Sequence, residues 1–124
     1  MKITTKLSVV LGGLSVAAFV ASAAIAGSPM GTWERTSNGA NIEVYECKGG
    51  LGMKVTKSPT PAKVGKVIMC GAQTAGENKW KGDLLSPDDG KTYTGNVTLV
   101  DAKTLQLEGC AGKACKGETW TKVK

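Results

Sequence analysis

The sequence predicts an all-β domain, folded as a small antiparallel up-and-down barrel of about eight strands. From residue 31 onward, apolar and polar residues alternate with a period of two, and no segment carries the 3.6-residue apolar repeat of an amphipathic helix. Short turn sequences rich in Gly, Asn, Asp and Pro separate the alternating runs. The length of 124 residues is that of one small domain. A two-sheet sandwich is the alternative architecture.

The first segment is predicted to be a leader for export. Residues 1–26 begin with Lys2 and Lys6, continue through a long uncharged run and end in Ala-Ile-Ala, which is the pattern of a signal peptide. The apolar run is too short and too rich in Gly, Ser and Ala for a membrane span, and no later segment is apolar enough to span a bilayer. We therefore expect a periplasmic or secreted bacterial protein with one domain, residues 27–124.

The strands follow from the alternation, in order along the chain. The clearest is 92–99, where Tyr93, Val97 and Leu99 lie on one face and threonines on the other. Segment 64–71 is ambiguous because its apolar residues would fall on both faces; it is either a strand covered on both sides or one helical turn. The predicted strands are 32–36, 41–47, 53–57, 64–71, 79–85, 92–99, 104–108 and 118–123.

Turn sequences connect these strands. Ser37-Asn38-Gly39 and Asp101-Ala102-Lys103 are typical of short hairpin turns. In Pro87-Asp88-Asp89-Gly90, the glycine suits a positive φ, and we expect the aspartates to cap their own turn. The longest loop is expected at 58–63, because its two prolines cannot donate ladder hydrogen bonds.

Four cysteines in an exported chain of this size predict two disulfides. Three pairings are possible, and we favour Cys47 with Cys70 and Cys110 with Cys115, because each pair joins nearby segments. The spacing lacks the C-x-x-C pattern of a zinc knuckle or a thiol oxidoreductase. We expect no metal site and no cofactor.

The composition argues against an enzyme. The chain has no histidine, which removes the usual proton shuttle and the Ser/His and Cys/His nucleophile systems. Asp88 and Asp89 lie in a turn sequence without the ligand series of a calcium loop. Removing the leader lowers the formal net charge from +6 to +4, and the lysines are scattered around a single arginine, Arg35. This pattern does not predict a nucleic-acid partner.

Only five aromatic residues follow the leader, so each one matters to the core or to a site. Trp120 lies in the last strand, which in a barrel must pair with the first strand around Trp33. An eight-stranded barrel is just wide enough to be filled by side chains or to hold one small ligand. Trp80 and Tyr93 are the hypothetical ligand-binding residues, at one open end of the barrel.

Several motifs spread along the mature chain carry a family resemblance. They are Gly31-Thr32-Trp33, Glu43-Val44-Tyr45-Glu46-Cys47, Trp80-Lys81-Gly82, Pro87-Asp88-Asp89-Gly90-Lys91-Thr92-Tyr93, Leu105-Gln106-Leu107-Glu108-Gly109-Cys110 and Thr119-Trp120-Thr121. In this order they resemble a bacterial family of small exported proteins, domain of unknown function 2147. The resemblance implies a compact, lipocalin-like β-barrel and supplies neither a mechanism nor a site.

Two hypotheses of function follow. In the first, the protein is a non-enzymatic binding module for a small apolar ligand that is uncharged or weakly anionic. In the second, it is a structural or accessory protein of the cell envelope, acting through its outer surface on a protein or an anionic polymer. A filled interior favours the second hypothesis, and an apolar pocket of roughly a few hundred Å³ favours the first.

Overall fold

The computed structural model describes residues 27–124, which form a closed antiparallel barrel of eight strands. Neighbours around the barrel are neighbours along the chain, so the up-and-down barrel is confirmed and the sandwich is excluded. The predicted signal peptide lies outside the described residues. Between residues 27 and 124, no helix has the length and apolar character needed to cross a membrane. The strands are β1 (Gly31–Arg35), β2 (Asn41–Cys47), β3 (Gly50–Lys57), β4 (Val67–Gly76), β5 (Lys79–Leu85), β6 (Thr92–Asp101), β7 (Thr104–Ala111) and β8 (Ala114–Lys122).

The barrel closes where β8 pairs with β1, as the sequence predicts. Trp33 faces Lys122 in this pairing, and Arg35 faces Trp120. Both indole rings are buried. Trp33 Nε1 donates a hydrogen bond to the Pro29 carbonyl at 2.8 Å, and the Lys122 ammonium lies 4.8 Å from the centroid of the Trp33 ring. These contacts close the end of the barrel at which β1 begins.

The core consists of the inward-facing side chains of the alternating strands. In β6, Val97 and Leu99 are buried whereas Thr92 and Thr94 are exposed, which confirms the predicted face of this strand. In β7, Leu105 and Leu107 are buried in the same way. The remaining buried core residues are Trp33, Ile42, Val44, Leu51, Met53, Val55, Ile68, Met69, Ala72, Leu84 and Trp120.

Of the two forms predicted for segment 64–71, the strand is right from Val67 onward, although Val67 is exposed, and the helical turn is wrong. β4 begins only at Val67, after a loop that contains the short 3-10 helix Pro61–Lys63. Val64 is exposed, whereas the consecutive residues Ile68 and Met69 are both buried. The register between β3 and β4 shifts twice around Met53. Such irregularities re-aim side chains locally, so two neighbouring residues can face the core without a helical turn.

Four other strands are longer than predicted: β6 ends at Asp101 and β7 at Ala111, and two strands start earlier than expected. β3 begins at Gly50 and β8 at Ala114, in segments where glycine and short side chains hide the alternation. At Gly50 the absence of a side chain is required by packing, since a Cβ there would lie 2.5 Å from the Ala72 carbonyl oxygen of β4. The first residue of β3 is therefore set by what fits beside the neighbouring backbone of β4.

The four cysteines form two disulfides with the pairing favoured from the sequence. Cys47 to Cys70 joins β2 to β4 across the intervening strand β3. Cys110 to Cys115 joins facing residues of β7 and β8 beside their turn. Each bridge typically contributes about 2–4 kcal/mol, which is a large share of the stability of a small domain.

Candidate functional site

The two ends of the barrel differ in structure. One end carries the turns β2–β3, β4–β5 and β6–β7, and it is closed by Trp33 and Lys122. The other end, called the open end below, carries the loops 36–40, 58–66, 86–91 and 112–113. Because the strands run up and down in turn, residues late in β1, β5 and β7 meet residues early in β4, β6 and β8 at this open end.

A cavity of about 240 Å³ lies at the open end. Pockets for drug-sized ligands are usually about 300–1,000 Å³, so this one has room for a single small molecule. Its apolar lining comes from the inward faces of β4 to β8, and its polar lining comes from β1, β8 and the β5–β6 loop. The lining residues that matter below are Arg35, Ile68, Leu84, Asp88, Tyr93, Leu107, Gly109, Lys116, Glu118 and Trp120.

An ion cluster forms the polar wall of the cavity. The side chain of Arg35 is only 9% exposed and lies between Glu118 and Asp88. Arg35 Nε and Nη2 donate to the Glu118 oxygens at 2.6 and 3.1 Å. Nη1 and Nη2 donate to the Asp88 oxygens at 3.3 and 3.0 Å. Both edges of the guanidinium thus make two-pronged contacts, the strongest geometry available to arginine. These three residues are called the Arg35 cluster.

Further hydrogen bonds connect the cluster to the rest of the open end. Glu118 Oε2 also accepts a hydrogen bond from Trp120 Nε1 at 2.6 Å, and Oε1 accepts one from the Ser37 hydroxyl at 3.1 Å. Lys63 Nζ lies 3.6 Å from Asp88 Oδ1. The cluster therefore ties the β1–β2, β3–β4 and β5–β6 loops to the wall of the barrel.

The cluster is ionised at neutral pH. Burial alone would raise the pKa of Glu118, but hydrogen bonds from Arg35 and Trp120 outweigh it and lower that pKa below its usual range. The hydrogen bond from Arg35 lowers the pKa of Asp88. Burial opposes the charge of Arg35, and the two carboxylates more than compensate, so its pKa is raised. Neither carboxyl group is therefore protonated near neutrality.

The two aspartates of the 86–91 loop have different roles. Asp89 caps its own turn as predicted, accepting a hydrogen bond from the Lys91 amide at 2.8 Å. It also accepts a hydrogen bond from the Tyr93 hydroxyl, which raises the pKa of Tyr93. The prediction that Asp88 caps the turn was wrong, because its carboxylate is taken by Arg35. Gly90 has φ 75°, as its turn position requires.

Comparison with known proteins gives the chain a family. A family model described as "Uncharacterized protein conserved in bacteria (DUF2147)" matches residues 31–122. The chain belongs to the DUF2147 family. Among curated proteins, none shows significant sequence similarity to it.

The DUF2147 barrel is similar to a solved structure of protein HP1028 from the human pathogen Helicobacter pylori, which is described as belonging to the lipocalin family. The TM-score is 0.63 at 17% sequence identity, over 78% of this chain and 84% of that chain. At this identity the likeness concerns the fold alone. It agrees with the lipocalin-like barrel that the family resemblance implies.

The structure separates the two aromatic residues singled out from the sequence. Tyr93 lines the cavity of this DUF2147 barrel and pairs with Leu84 near the open end. Trp80 is half-buried, packs against the core and pairs with Val97, at the opposite end of β5. Trp120, expected as a core anchor, is buried and also lines the cavity.

Sequence reasoning missed Arg35 and Glu118 as partners in a site. A signal was present, because Arg35 stands two residues after Trp33 and Glu118 two residues before Trp120. In a strand, residues two apart share a face, so both charges occupy inward positions of the alternation. Charged residues at inward positions need a partner, and these two are partners of each other.

Potential metal ligands also meet on the outside of this DUF2147 barrel. A carboxylate oxygen of Glu108 and the sulfur atoms of Cys110 and Cys115 all lie within 4.8 Å of one another. The two sulfur atoms are joined in a disulfide, so neither is available as the thiolate that a metal requires. The grouping is therefore explained by the disulfide.

Proposed function

We propose that this DUF2147 protein is an exported, non-enzymatic binding module that takes one small ligand with an apolar body into the open-end cavity. The observation that carries the proposal is the cavity of about 240 Å³ in a barrel whose other end is closed by packed side chains. The alternative, a protein that acts through its outer surface, is favoured by a filled interior, so the cavity supports the binding hypothesis.

The chemistry of the walls argues for an apolar ligand. Ile68, Leu84 and Leu107 present hydrocarbon surface, and Trp120 adds an aromatic face. Arg35 already uses all three guanidinium nitrogens on Asp88 and Glu118, so it offers no free fork to a phosphate or carboxylate. Lys116 places one positive charge in the lining. We therefore propose a ligand that is uncharged or weakly anionic.

Tyr93 is the proposed aromatic contact. Its ring lines the cavity, and its hydroxyl is tied to Asp89, which fixes the ring in position. Trp80 faces the other end of the barrel and is not part of the proposed site. The proposal that the site is non-enzymatic rests on the cluster and on the composition, since the carboxylates of Asp88 and Glu118 are both engaged by Arg35 and the chain has no histidine to shuttle a proton.

A substitution that fills the cavity provides the test. Gly109 lines the cavity, and a Cβ there would lie 3.5 Å from Leu84 Cδ2 and 3.6 Å from Tyr93 Cβ, which are ordinary contact distances. Gly109→Leu is therefore expected to fold and to occupy the ligand volume. Gln106→Leu is the matched control, because it adds the same side chain to an exposed position of β7.

The experiment is a titration with fatty acids, short isoprenoids and small glycans, followed by tryptophan emission and melting temperature. We expect at least one ligand to shift both in the wild type and in Gln106→Leu. A ligand present at 100 times its Kd stabilises the folded state by about 2.7 kcal/mol. Gly109→Leu should show neither shift. If no ligand moves either readout, or if Gly109→Leu binds as well as the wild type, the proposed site is wrong.

A further inference from the structure

The loop between β3 and β4 combines positive charge with exposed apolar side chains. From Lys48 to Gly76 the sequence has five lysines and neither aspartate nor glutamate. Residues 57–67, called the tip loop below, carry three of these lysines. In the same loop Val64 and Val67 are 48% and 45% exposed. Two valines left in water beside an uninterrupted positive stretch suggest a surface that is covered in use.

The tip loop stands at the mouth of the cavity. Ile68, the residue that follows it, lines the cavity, and Lys63 reaches Asp88 of the Arg35 cluster. Two backbone hydrogen bonds fix the tip loop to β3: Gly65 N to the Val55 carbonyl at 2.7 Å and Val55 N to the Lys66 carbonyl at 2.9 Å. The exposed valines are therefore presented in a defined position next to the opening.

The opposite end of the barrel provides a contrast. Val100 is exposed there too, and Lys103 follows it in the β6–β7 turn. Here Asp101 lies between them, and Glu77 occupies the neighbouring β4–β5 turn. Exposed valine and lysine occur at both ends, since Val123 also lies between Lys122 and Lys124 at the opposite end, and the open end has carboxylates of its own at Asp88 and Asp89. The tip loop differs in the length of its stretch without carboxylates, because 48–76 lies in the longest such stretch between residues 27 and 124.

We propose that the open end docks on an anionic phospholipid bilayer through the tip loop. Lys57 and Lys66 are exposed and would face the lipid phosphates, while Val64 and Val67 enter the boundary between headgroups and acyl chains. A soluble polyanion satisfies the lysines but offers no apolar phase to the valines, so the combination favours a bilayer. This docking goes beyond the proposed ligand binding and turns the cavity mouth toward the lipid.

Vesicle co-sedimentation tests the proposal, with phosphatidylcholine vesicles prepared with and without phosphatidylglycerol. The variants are Lys57→Gln/Lys66→Gln and Val64→Ser/Val67→Ser, and the matched control is Val100→Ser/Lys103→Gln at the opposite end. We expect salt-sensitive binding only to the anionic vesicles. A lysine near such a surface contributes about a fivefold gain in binding, so the lysine pair should lose roughly 25-fold. The valine pair should also bind more weakly, and the control should bind like the wild type.

Several results would overturn the docking proposal. They are absence of binding to anionic vesicles, equal binding to both kinds of vesicle, or an equal loss in the control. Wild-type binding by the valine pair, together with displacement by soluble polyglutamate, would assign the surface to an anionic polymer instead. Melting temperatures of all variants exclude unfolding as the cause. Ligand titration of the same variants is a separate readout, so failure of docking and failure of ligand binding can be distinguished.

Discussion

Replacing Glu118 by alanine should destabilise the fold far more than replacing Asp88, although both carboxylates bind the same guanidinium. The Glu118 side chain is 22% exposed and that of Asp88 is 55% exposed. Removing one partner of a buried ion pair costs about 3–5 kcal/mol, because the other charge is left uncompensated. Glu118→Ala also removes the acceptor of Trp120 Nε1. We expect a cost of about 3 kcal/mol, the lower end of the range, because Glu118 retains some contact with water.

Asp88→Ala should cost much less. Ion pairs at high exposure typically contribute about 0–1 kcal/mol, since water screens the charge and replaces the lost partner. Glu118 remains to compensate Arg35 in this variant. Glu118→Gln is the control for shape, because its amide oxygen still accepts from Trp120 while the negative charge is gone. Its cost should lie between those of the two alanine variants.

The assay is urea unfolding with both disulfides intact, followed by tryptophan fluorescence and repeated as thermal melting. For a domain of this size, about 3 kcal/mol corresponds to a fall in Tm of roughly 12–24 °C. Equal costs for Glu118→Ala and Asp88→Ala, within about 0.5 kcal/mol, would refute the reasoning that burial separates the two carboxylates. A cost below about 1 kcal/mol for Glu118→Ala would show that Arg35 is adequately hydrated without it.

Four further predictions concern the fold and the predicted leader. The Arg35 cluster lowers the pKa of both its carboxyl groups, so the unfolded chain binds protons at these groups more readily than the folded protein does. The free energy of unfolding should therefore have its full value above about pH 5 and fall as the pH drops through the lowered pKa values. A free energy of unfolding that stays unchanged down to about pH 2 contradicts this. Trp120→Ala should cost about 3–5 kcal/mol, and melting within a degree or two of the wild type would mean that the indole is not a core residue. Replacing Cys47 and Cys70 by serine should cost about 3 kcal/mol in urea unfolding, since their disulfide closes a loop with a sequence separation of 23. The intact mass of the exported protein should correspond to a chain that begins at or near Gly27, and treatment with a thiol reagent should leave that mass unchanged. Retention of residues 1–26 would overturn the predicted leader.

The strands were predictable wherever one face of the strand is buried and the other is exposed to solvent. In β6 the alternation of Val97 and Leu99 with threonines defines both the strand and its inward face. The start of β4 was not predictable in this way, because Ile68 and Met69 face the core together at a register shift. A register shift depends on the partner strand, and periodicity within one segment carries no information about it.

The candidate site was less predictable than the fold. Tyr93 could be chosen as a site residue because aromatic residues are few, and it lines the cavity. The Arg35 cluster joins residues that are 53 and 83 positions apart, so no local motif contains it. The turn sequence around Asp88 predicted its backbone conformation, but the contact with Arg35 depends on the closure of the barrel. Long-range ion pairs of this kind become visible only when the strands are placed next to each other.

Native mass spectrometry of the protein purified from its own host tests the central claim, that the open-end cavity holds a small ligand, most directly. The wild type and Gln106→Leu should carry an added mass that gentle activation removes as one small, apolar, uncharged or weakly anionic molecule. Gly109→Leu, with the cavity filled, should appear at the mass of the bare chain. The same added mass on Gly109→Leu, or bare chains for all three proteins, would contradict the claim.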